Sequence, residues 1–422
     1  MSMIKTPVRG MRDFTPSEMD LREYVLNIIE GIATRAGYQK IETPAMEHIE
    51  NLTSKVGGEN ESLIFKVLKR GQSLVSAKEN NDELSDSGLR YDLTVPLARY
   101  FANNKKSLPL PFKSFQIGSV WRADRPQKGR YRQFLQCDMD ILGDSSIYAE
   151  IDTIATTTEI IGNIFGNSKI SDIIIHLNDR RILTAAAAYA GFDESEFGSV
   201  LIALDKNDKV GLDGVRKELL DMNYDAEKVI KFVDLFEEPI AEFSADTFCD
   251  SLKTFAPDKS IIGDLKKIIS VVSKTAGSNA KIIFDPTLVR GMGYYTGPIF
   301  ECSIADFSSS VAGGGRYDKM IGQFSGGADV SACGFSIGFE RIIAILNNIG
   351  FVPPKVNGKT AILVDKKVTQ DQLENVFIRA NDIREKGSIV TVLAMSKNIK
   401  YQIEMLEKNG YDIFEKVFEN DK

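Results

Sequence analysis

The sequence predicts an α+β fold from three observations. Two alternating stretches within residues 115–142 flank a charged loop and read as an antiparallel hairpin. Residues 168–279 turn to short helical patterns. Beyond the double proline Pro353-Pro354 the chain reads β-α-β-α. The expected architecture is an antiparallel sheet flanked by helices, with a mostly helical insertion and a small C-terminal α/β domain. Its expected boundaries are 1–167 and 280–350 for the two parts of the main domain, 168–279 for the insertion and 351–422 for the tail.

From Ser17 to Ala36, Met19, Leu21, Val25, Ile28, Ile29 and Ile32 recur at helical spacing. Gly37 is a helix stop, and Tyr38–Pro44 reads as a strand closed by proline. The polar run Ala77–Gly88 reads as an exposed loop joining two strands. In the hairpin, Phe115, Ile117 and Trp121 share one parity, with the small Ser119 between them. On the return strand Phe134, Gln136, Asp138 and Asp140 fall on one side, and Leu135, Cys137, Met139 and Ile141 on the other. Helical patterns in the insertion cover Ile182–Tyr189, Gly214–Met222, Ala226–Phe236 and Ile262–Thr275. Strand character returns at Lys281–Asp285, Ile299–Ile304 and Ser309–Ala312, followed by a glycine turn at Gly313–Gly315. Gly334–Gly338 leads into a helix over Phe339–Ile349. In the tail, Thr360–Val364, Gln370–Lys386, Ser388–Leu393 and Lys400–Lys408 alternate strand and helix.

At 422 residues, 43% hydrophobic and 26% charged, the chain matches an ordinary soluble protein with a sizeable core. Fifty-two Lys and Arg against 59 Asp and Glu leave a net charge of −7, which excludes a broad basic coat for nucleic acid. The tail from Phe351 carries +1, so the rest holds −8. Four cysteines without a CxxC pair and two histidines, His48 and His176, argue against a disulfide framework and a structural zinc. They also leave little scope for histidine-based catalysis. The start lacks a basic-then-apolar leader, and no run nears the ~18 apolar residues of a membrane span. A cytosolic location without a membrane is expected.

Five segments are candidates for chemistry. Between Arg122 and Arg132, five basic residues oppose only Asp124, a net of +4 in 11 residues. Arginine suits phosphate because its planar fork keeps its charge and donates two hydrogen bonds at once. An isolated cluster of this kind is usually a solvated loop, but here the return strand also bears Gln136, Asp138 and Asp140. In Leu288–Gly297, Arg290 precedes alternating glycines and Tyr294-Tyr295, which suits close backbone approach to a ligand and equally suits a tight turn. Ala312–Asp318 is glycine-rich but lacks the lysine-hydroxyl ending of a P-loop. Arg341 stands in the first turn of its helix, where a cation opposes the dipole unless it faces an anion. In Arg90–Pro96, Asp92 and Thr94 are expected on one strand face, available to an ammonium group.

The order of these segments resembles the class II aminoacyl-tRNA synthetases, and among them the histidyl family. GYQKIETP resembles the dimer motif, VWRADRPQKGRYRQFLQCDMDILG the second motif and GFSIGFERI the third. LVRGMGYYTGPIFE and AGGGRYD resemble motifs peculiar to the histidine enzyme, while RYDLTVPLARYFANN and IIIHLNDRRIL resemble its eukaryote-like branch. Together they span most of residues 5–345. The resemblance implies a class II synthetase-type sheet and a two-step reaction. Histidine and ATP give histidyl-adenylate and pyrophosphate, and histidine then passes to the 3′ end of tRNA(His). It implies Arg122 at the α-phosphate and the substrate carboxylate, and Arg290 at the α-phosphate during activation, the two catalytic positions. Arg341 is implied at the γ-phosphate and adenine, with Asp124 and Arg130 beside the nucleotide. Asp92, Thr94, Gln136, Asp140, Tyr294, Tyr295 and Tyr317 are implied around the histidine amino group and imidazole. Arg125, Gln127 and Lys128 are implied at the tRNA acceptor end. ATP and Mg²⁺ are the expected cofactors, with no Mg²⁺ ligand assigned, and a cytoplasmic homodimer is expected.

Two features depart from the family pattern. Gly293 stands where many relatives have aspartate, and the anticodon-binding-like tail stops near Tyr411–Asp421, short of a further strand and helix. The alternative readings are a regulatory paralogue of ATP phosphoribosyltransferase and an adenylate-forming enzyme with a non-tRNA acceptor. The first usually loses the arginines retained here as Arg122, Arg290 and Arg341. The second conflicts with the basic hairpin loop.

Overall fold

The computed structural model describes residues 3–53, 58–125, 131–166, 170, 172–238, 244–275, 280–290, 294–304, 307–324, 326–327, 329–354 and 358–419. Its strands are β1 (Gln39–Lys40), β2 (Met46–His48), β3 (Lys66–Leu68), β4 (Ser85–Leu89), β5 (Phe112–Trp121), β6 (Gln133–Leu142) and β7 (Ile173–Asp179). There follow β8 (Ala280–Phe284), β9 (Pro298–Ile304), β10 (Phe307–Arg316), β11 (Ala332–Ile337), β12 (Lys359–Val364), β13 (Ile389–Ala394) and β14 (Tyr411–Val417).

The predicted hairpin forms the spine of the main sheet. β5 and β6 pair antiparallel along their whole lengths, from Phe112 opposite Leu142 to Trp121 opposite Gln133. Because side chains alternate, Cys137, Met139 and Ile141 are buried on one side of β6 while Gln136, Asp138 and Asp140 occupy the other. The sheet continues in the order β1-β5-β6-β11-β10-β9-β7-β8, antiparallel except for the outer pairs β1/β5 and β7/β8. A helix over Tyr148–Phe165, with Ile154, Ile160, Ile161, Ile164 and Phe165 fully or almost fully buried, lies across β6, β7, β9, β10 and β11. The helix Lys259–Thr275 packs beside it and against β7 and β8. This is the antiparallel sheet with helical flanks that the sequence predicts.

The insertion holds helices Arg180–Ala190, Phe197–Leu204, Asn207–Asp221, Ala226–Val233, Ala245–Ser251 and Lys259–Thr275. Their core is a chain of aromatic contacts through Phe192, Phe232, Phe236 and Phe248, with ring centroids 5.8, 5.2 and 5.7 Å apart in turn. Phe248 continues it to Phe284 at the end of β8. The sheet also takes in Ile173–Asp179 as β7, from the beginning of the stretch read as helical.

Three local expectations are corrected. Ala77–Gly88 is not one loop: a helix covers Gly71–Asn80, and β4 begins at Ser85. Asn81 closes the helix in the left-handed conformation (φ 56°) and returns its N–H to the Ala77 carbonyl. The stretch looks polar because its buried positions are small; at Gly88 a Cβ would press on Ile64 and Leu52 at 3.0 Å. Tyr38–Pro44 is extended, yet only Gln39–Lys40 are ladder-paired, with the Ile41 N–H adding one bond to the Phe115 carbonyl. Gly313–Gly315 is no turn but the middle of β10, paired with both β9 and β11. The glycines are there for clearance. A Cβ on Gly314 would lie 1.9 Å from the Gly334 carbonyl oxygen, and one on Gly315 2.6 Å from that of Pro298.

A second compact unit comprises residues 13–26 and 350–422. Its sheet is parallel in the order β13-β12-β14. Helix Gln370–Glu385 opens with a Thr369/Gln372 capping box and buries Val376 and Ala380 against Ile362 and Val390. Tyr411–Val417 forms the third strand β14, paired with β12, which corrects the expectation that the tail stops short of a further strand.

Gly314→Ala forces backbone apart in the sheet centre and is expected to cost about 2 kcal/mol or more in urea unfolding. Gly263→Ala, on the Lys259–Thr275 helix with nothing within 4 Å of the new methyl, is expected to be neutral or to stabilise by up to about 1 kcal/mol.

Candidate active site

The polar face of β6 is built by cross-strand register. Asp138 stands opposite Gln116 on β5 and Ser336 on β11, and Asp140 opposite Ser114 and Gly334. Each aspartate is 4% exposed. Asp140 fits only because Gly334 has no side chain, since a Cβ there would lie 2.0 Å from its Oδ1. The Tyr317 hydroxyl donates to Asp140 Oδ1, and the Ser336 hydroxyl donates to Asp138 Oδ1 at 2.6 Å. Burial pushes Asp140 up to about 7, against the pull of the Tyr317 hydrogen bond. Burial, reinforced by the nearby Asp140 charge, also holds Asp138 well above the usual carboxylate range. Asp140 Oδ2 and Gln136 Oε1 are buried with no hydrogen-bond partner among the described residues. Two orphaned acceptors on one face suit a ligand that brings N–H donors.

Asp92 and Thr94 are not on a strand. Thr94 begins the helix Thr94–Asn104, and Asp92 Oδ1 accepts the Val95 N–H at 3.0 Å, capping its first turn. Pro96 is compatible because the first helical turn has no internal partner for its missing N–H. Burial raises the Asp92 carboxyl, opposed by the Val95 N–H and the Arg122 charge, so Asp92 still belongs to this site. Tyr294 and Tyr295 lie tilted at 46° to each other with centroids 4.3 Å apart, and Tyr294 meets Tyr317 edge-on at 6.4 Å. Burial raises the Tyr294 hydroxyl; hydrogen bonding to Tyr295 opposes this, while the Asp92 charge adds to it.

A cavity of about 210 Å³ adjoins this face, lined among others by Arg122, Asp124, Gln136, Ser336, Glu340 and Arg341. Arg122 donates from Nε to the Tyr91 carbonyl at 3.0 Å and lies over the Phe134 ring, 5.2 Å from its centroid. Arg341, on the helix Phe339–Asn348, donates to the Ser310 carbonyl at 2.7 Å. Arg290 donates to the Ser310 hydroxyl at 2.9 Å and pairs with Glu301, so Ser310 joins the two arginines. A Cβ on Gly313 would lie 2.5 Å from the Arg290 guanidinium carbon, so this glycine makes room for the charge. Burial disfavours the Arg290 cation, but Glu301 more than compensates and its pKa is raised.

The fold thus brings Arg122, Asp124, Gln136 and Arg341 to one cavity, with Asp92, Asp140 and the three tyrosines beside it. Thr94 is placed at the helix start, and Arg125 is exposed. Gln127, Lys128, Arg130 and Gly293 lie outside the described residues. Sequence reasoning named Asp138 on the polar face without giving it a role, and passed over Ser336, Ser310 and Glu301. For Asp138 the alternation of β6 was a usable signal, and for Glu301 so was a charge within the apolar run Ile299–Ile304. Nothing local marked the two serines. His176 is held between Asp285 (2.8 Å) and Ser303 (2.9 Å). Among the described residues no group of three or more His, Cys, Asp or Glu forms a metal cluster.

A family model described as histidyl-tRNA synthetase matches residues 10–342. The chain belongs to the histidyl-tRNA synthetase family. It is 41% identical over 418 residues to a histidine–tRNA ligase of Leifsonia xyli subsp. xyli, covering 97% of this chain and 94% of that one. It is 37% identical over 370 residues to the corresponding ligase of Cytophaga hutchinsonii, covering 84% and 80%. The crystal structure of histidyl-tRNA synthetase from Nostoc sp. PCC 7120 superposes with a TM-score of 0.78 at 26% identity, covering 97% of this chain and 90% of that one. A Bacillus halodurans structure described as an ATP phosphoribosyltransferase regulatory subunit/histidyl-tRNA synthetase shares the fold, with a TM-score of 0.76 at 19% identity over 99% of both chains.

The raised pKa of Asp140 has a definite sign in stability. The fold favours its acid form, so folding takes up a proton between about pH 4 and 7, and stability falls as pH rises through that window. Urea unfolding is expected to show a smaller fall from pH 5 to pH 7.5 in Asp140→Asn than in the wild type. Equal falls would show that Asp140 titrates normally.

Proposed function

We propose that this member of the histidyl-tRNA synthetase family activates histidine with ATP and transfers it to tRNA(His). The observation that carries the reading is the convergence of Arg122 and Arg341 on one cavity, with Arg290 joined to Arg341 through Ser310, beside a face of unpartnered acceptors. That arrangement suits a substrate pair with an anionic phosphate end and an N–H-rich amino acid. In the first step a histidine carboxylate oxygen attacks the α-phosphorus of ATP, the bond to the bridging oxygen of the β-phosphate breaks, and pyrophosphate leaves. In the second a terminal ribose hydroxyl of tRNA attacks the adenylate carbonyl, loses its proton and releases AMP.

No enzyme nucleophile is needed. Arg122 and Arg290 are assigned to the charge that develops on the α-phosphate, and Arg341 to the far phosphates and adenine, with Asp124 and Arg130 beside the nucleotide. Asp92, Thr94, Gln136, Asp140, Tyr294, Tyr295 and Tyr317 are assigned to histidine. An amino acid without the imidazole donors leaves such buried acceptors unpaired, which is the strong form of discrimination. Asp124 and Glu340 are the carboxylates of the cavity wall that would hold a Mg²⁺. When bound, it neutralises phosphate charge.

Arg125, Gln127 and Lys128 are assigned to the acceptor end, supported by the net +4 of their loop. The proposal extends to an anticodon-binding-like role for residues 351–422, a homodimer on the GYQKIETP resemblance, and a cytoplasmic location. Four buried cysteines outside any disulfide suit a reducing compartment, and no helix among the described residues is long and apolar enough to cross a membrane. A regulatory role without catalysis is disfavoured by retention of the three arginines.

Purified protein is expected to catalyse histidine-dependent exchange of pyrophosphate into ATP and to charge tRNA(His). Absence of exchange refutes the catalytic reading, and exchange without charging points to another acceptor. Arg290→Ala is expected to slow exchange at least about a hundredfold, and near-normal activity removes Arg290 from the mechanism. Light scattering is expected to give twice the chain mass; the mass of one chain contradicts the dimer.

A further inference from the structure

The cavity wall contains Gln136 and Ser336 but not Asp138, which lies behind them at the same sheet level. We propose that Asp138 is a positioning residue for amino-acid selection, fixing through Ser336 which end of the Gln136 side-chain amide meets the ligand. This rests on the reading above that Gln136 binds histidine.

The argument is one of proton accounting. A serine hydroxyl has one proton to donate and two lone pairs. Ser336 donates to Asp138 Oδ1 at 2.6 Å, the only direction open to it when Asp138 is the carboxylate, which has no proton to give. Its lone pairs are then left for a donor, and Gln136 Nε2 supplies one at 3.3 Å. With its NH₂ end turned to Ser336, Gln136 presents its carbonyl Oε1, which is buried and without a partner among the described residues. An acceptor there matches an ammonium or imidazole N–H.

Gln116, the other cross-strand neighbour of Asp138, does not compete for the Ser336 proton. It accepts from the Thr43 hydroxyl at 3.2 Å and donates to the Leu93 carbonyl at 3.2 Å. If Asp138 becomes the acid with its proton on Oδ2, Oδ1 still accepts from Ser336 and the order of donors survives. Without the carboxyl the Ser336 proton turns to Gln136, the amide reverses, and the pocket shows N–H groups to a ligand made of N–H groups.

The test is pyrophosphate exchange with wild type, Ser336→Ala, Ser336→Thr, Asp138→Ala and the Ser336→Ala/Asp138→Ala double variant. Ser336→Ala is expected to raise the KM for histidine about tenfold, the scale of one hydrogen bond involving a charged partner, with the KM for ATP within about twofold. Ser336→Thr keeps the hydroxyl and is expected to restore the wild-type value. Asp138 acts only through Ser336, so the double variant is expected to be no worse for histidine than Ser336→Ala alone. Unchanged histidine KM in Ser336→Ala, parallel changes in both KM values, or full additivity in the double variant overturns the proposal. If Asp138→Ala fails to fold, an unchanged histidine KM in Ser336→Ala still overturns the proposal. A wild type without exchange refutes the functional reading itself, a result distinct from all of these.

Discussion

Two carboxyls held almost out of water on one central strand impose the condition that the surrounding structure meets. Isolating a charge from water costs several kcal/mol after relaxation, so Asp138 and Asp140 need donors, space and freedom to take up a proton. Each need is met by a different strand. Tyr317, directly after β10, donates to Asp140, while β11 supplies Ser336 for Asp138 and the empty Cα face of Gly334. The position of Tyr317 depends in turn on Arg316. Its guanidinium forms a two-pronged pair with Glu150 and also donates to the Asp144 and Ser146 carbonyls. Glu150 is 1% exposed, so the start of the Tyr148–Phe165 helix, the end of β10 and the polar face of β6 form one mechanical unit.

The same condition explains where the glycines are spent. In β10 and β11 they allow backbones and charged groups to approach more closely than any side chain permits: Gly314 against Gly334, Gly313 against Arg290, Gly334 against Asp140. A glycine-rich strand ordinarily loses stability through entropy and missing packing. Here that loss buys a site in which cations and carboxyls are set close together without collapsing onto one another. Arg290 is drawn to Glu301 and Ser310, Arg341 to the Ser310 carbonyl, and Arg122 to the Tyr91 carbonyl. Their charges are preorganised by the protein, which is the form in which electrostatics accelerates phosphoryl chemistry most.

Much of this was legible along the chain, and the failures have physical causes. The parity of Gln136, Asp138 and Asp140 was readable because a strand repeats every two residues whatever its partners. Asp92 was misread as a strand residue, since Asp-Leu-Thr-Val alternates like a strand while its aspartate serves as a helix cap. Gly313–Gly315 was misread as a turn because glycine means freedom locally but clearance when two neighbouring strands press in. Ala77–Gly88 was misread as a loop because small buried residues have the composition of exposed ones.

By itself the sequence determined the periodicities, the antiparallel hairpin, the retained arginines and the order of motifs that mark the family. These are properties of neighbours in the chain, set by the geometry of single strands and helices. Only the tertiary structure decided that Ser336 faces Asp138, that Ser310 joins Arg290 to Arg341, and that Gly334 opens the space Asp140 fills. Those relations run between residues as far apart as 198 positions, and for Ser336 and Gly334 it is strand register that sets them. A slip of one residue between β6 and β11 turns Ser336 away from Asp138, and no local feature of either strand records that choice.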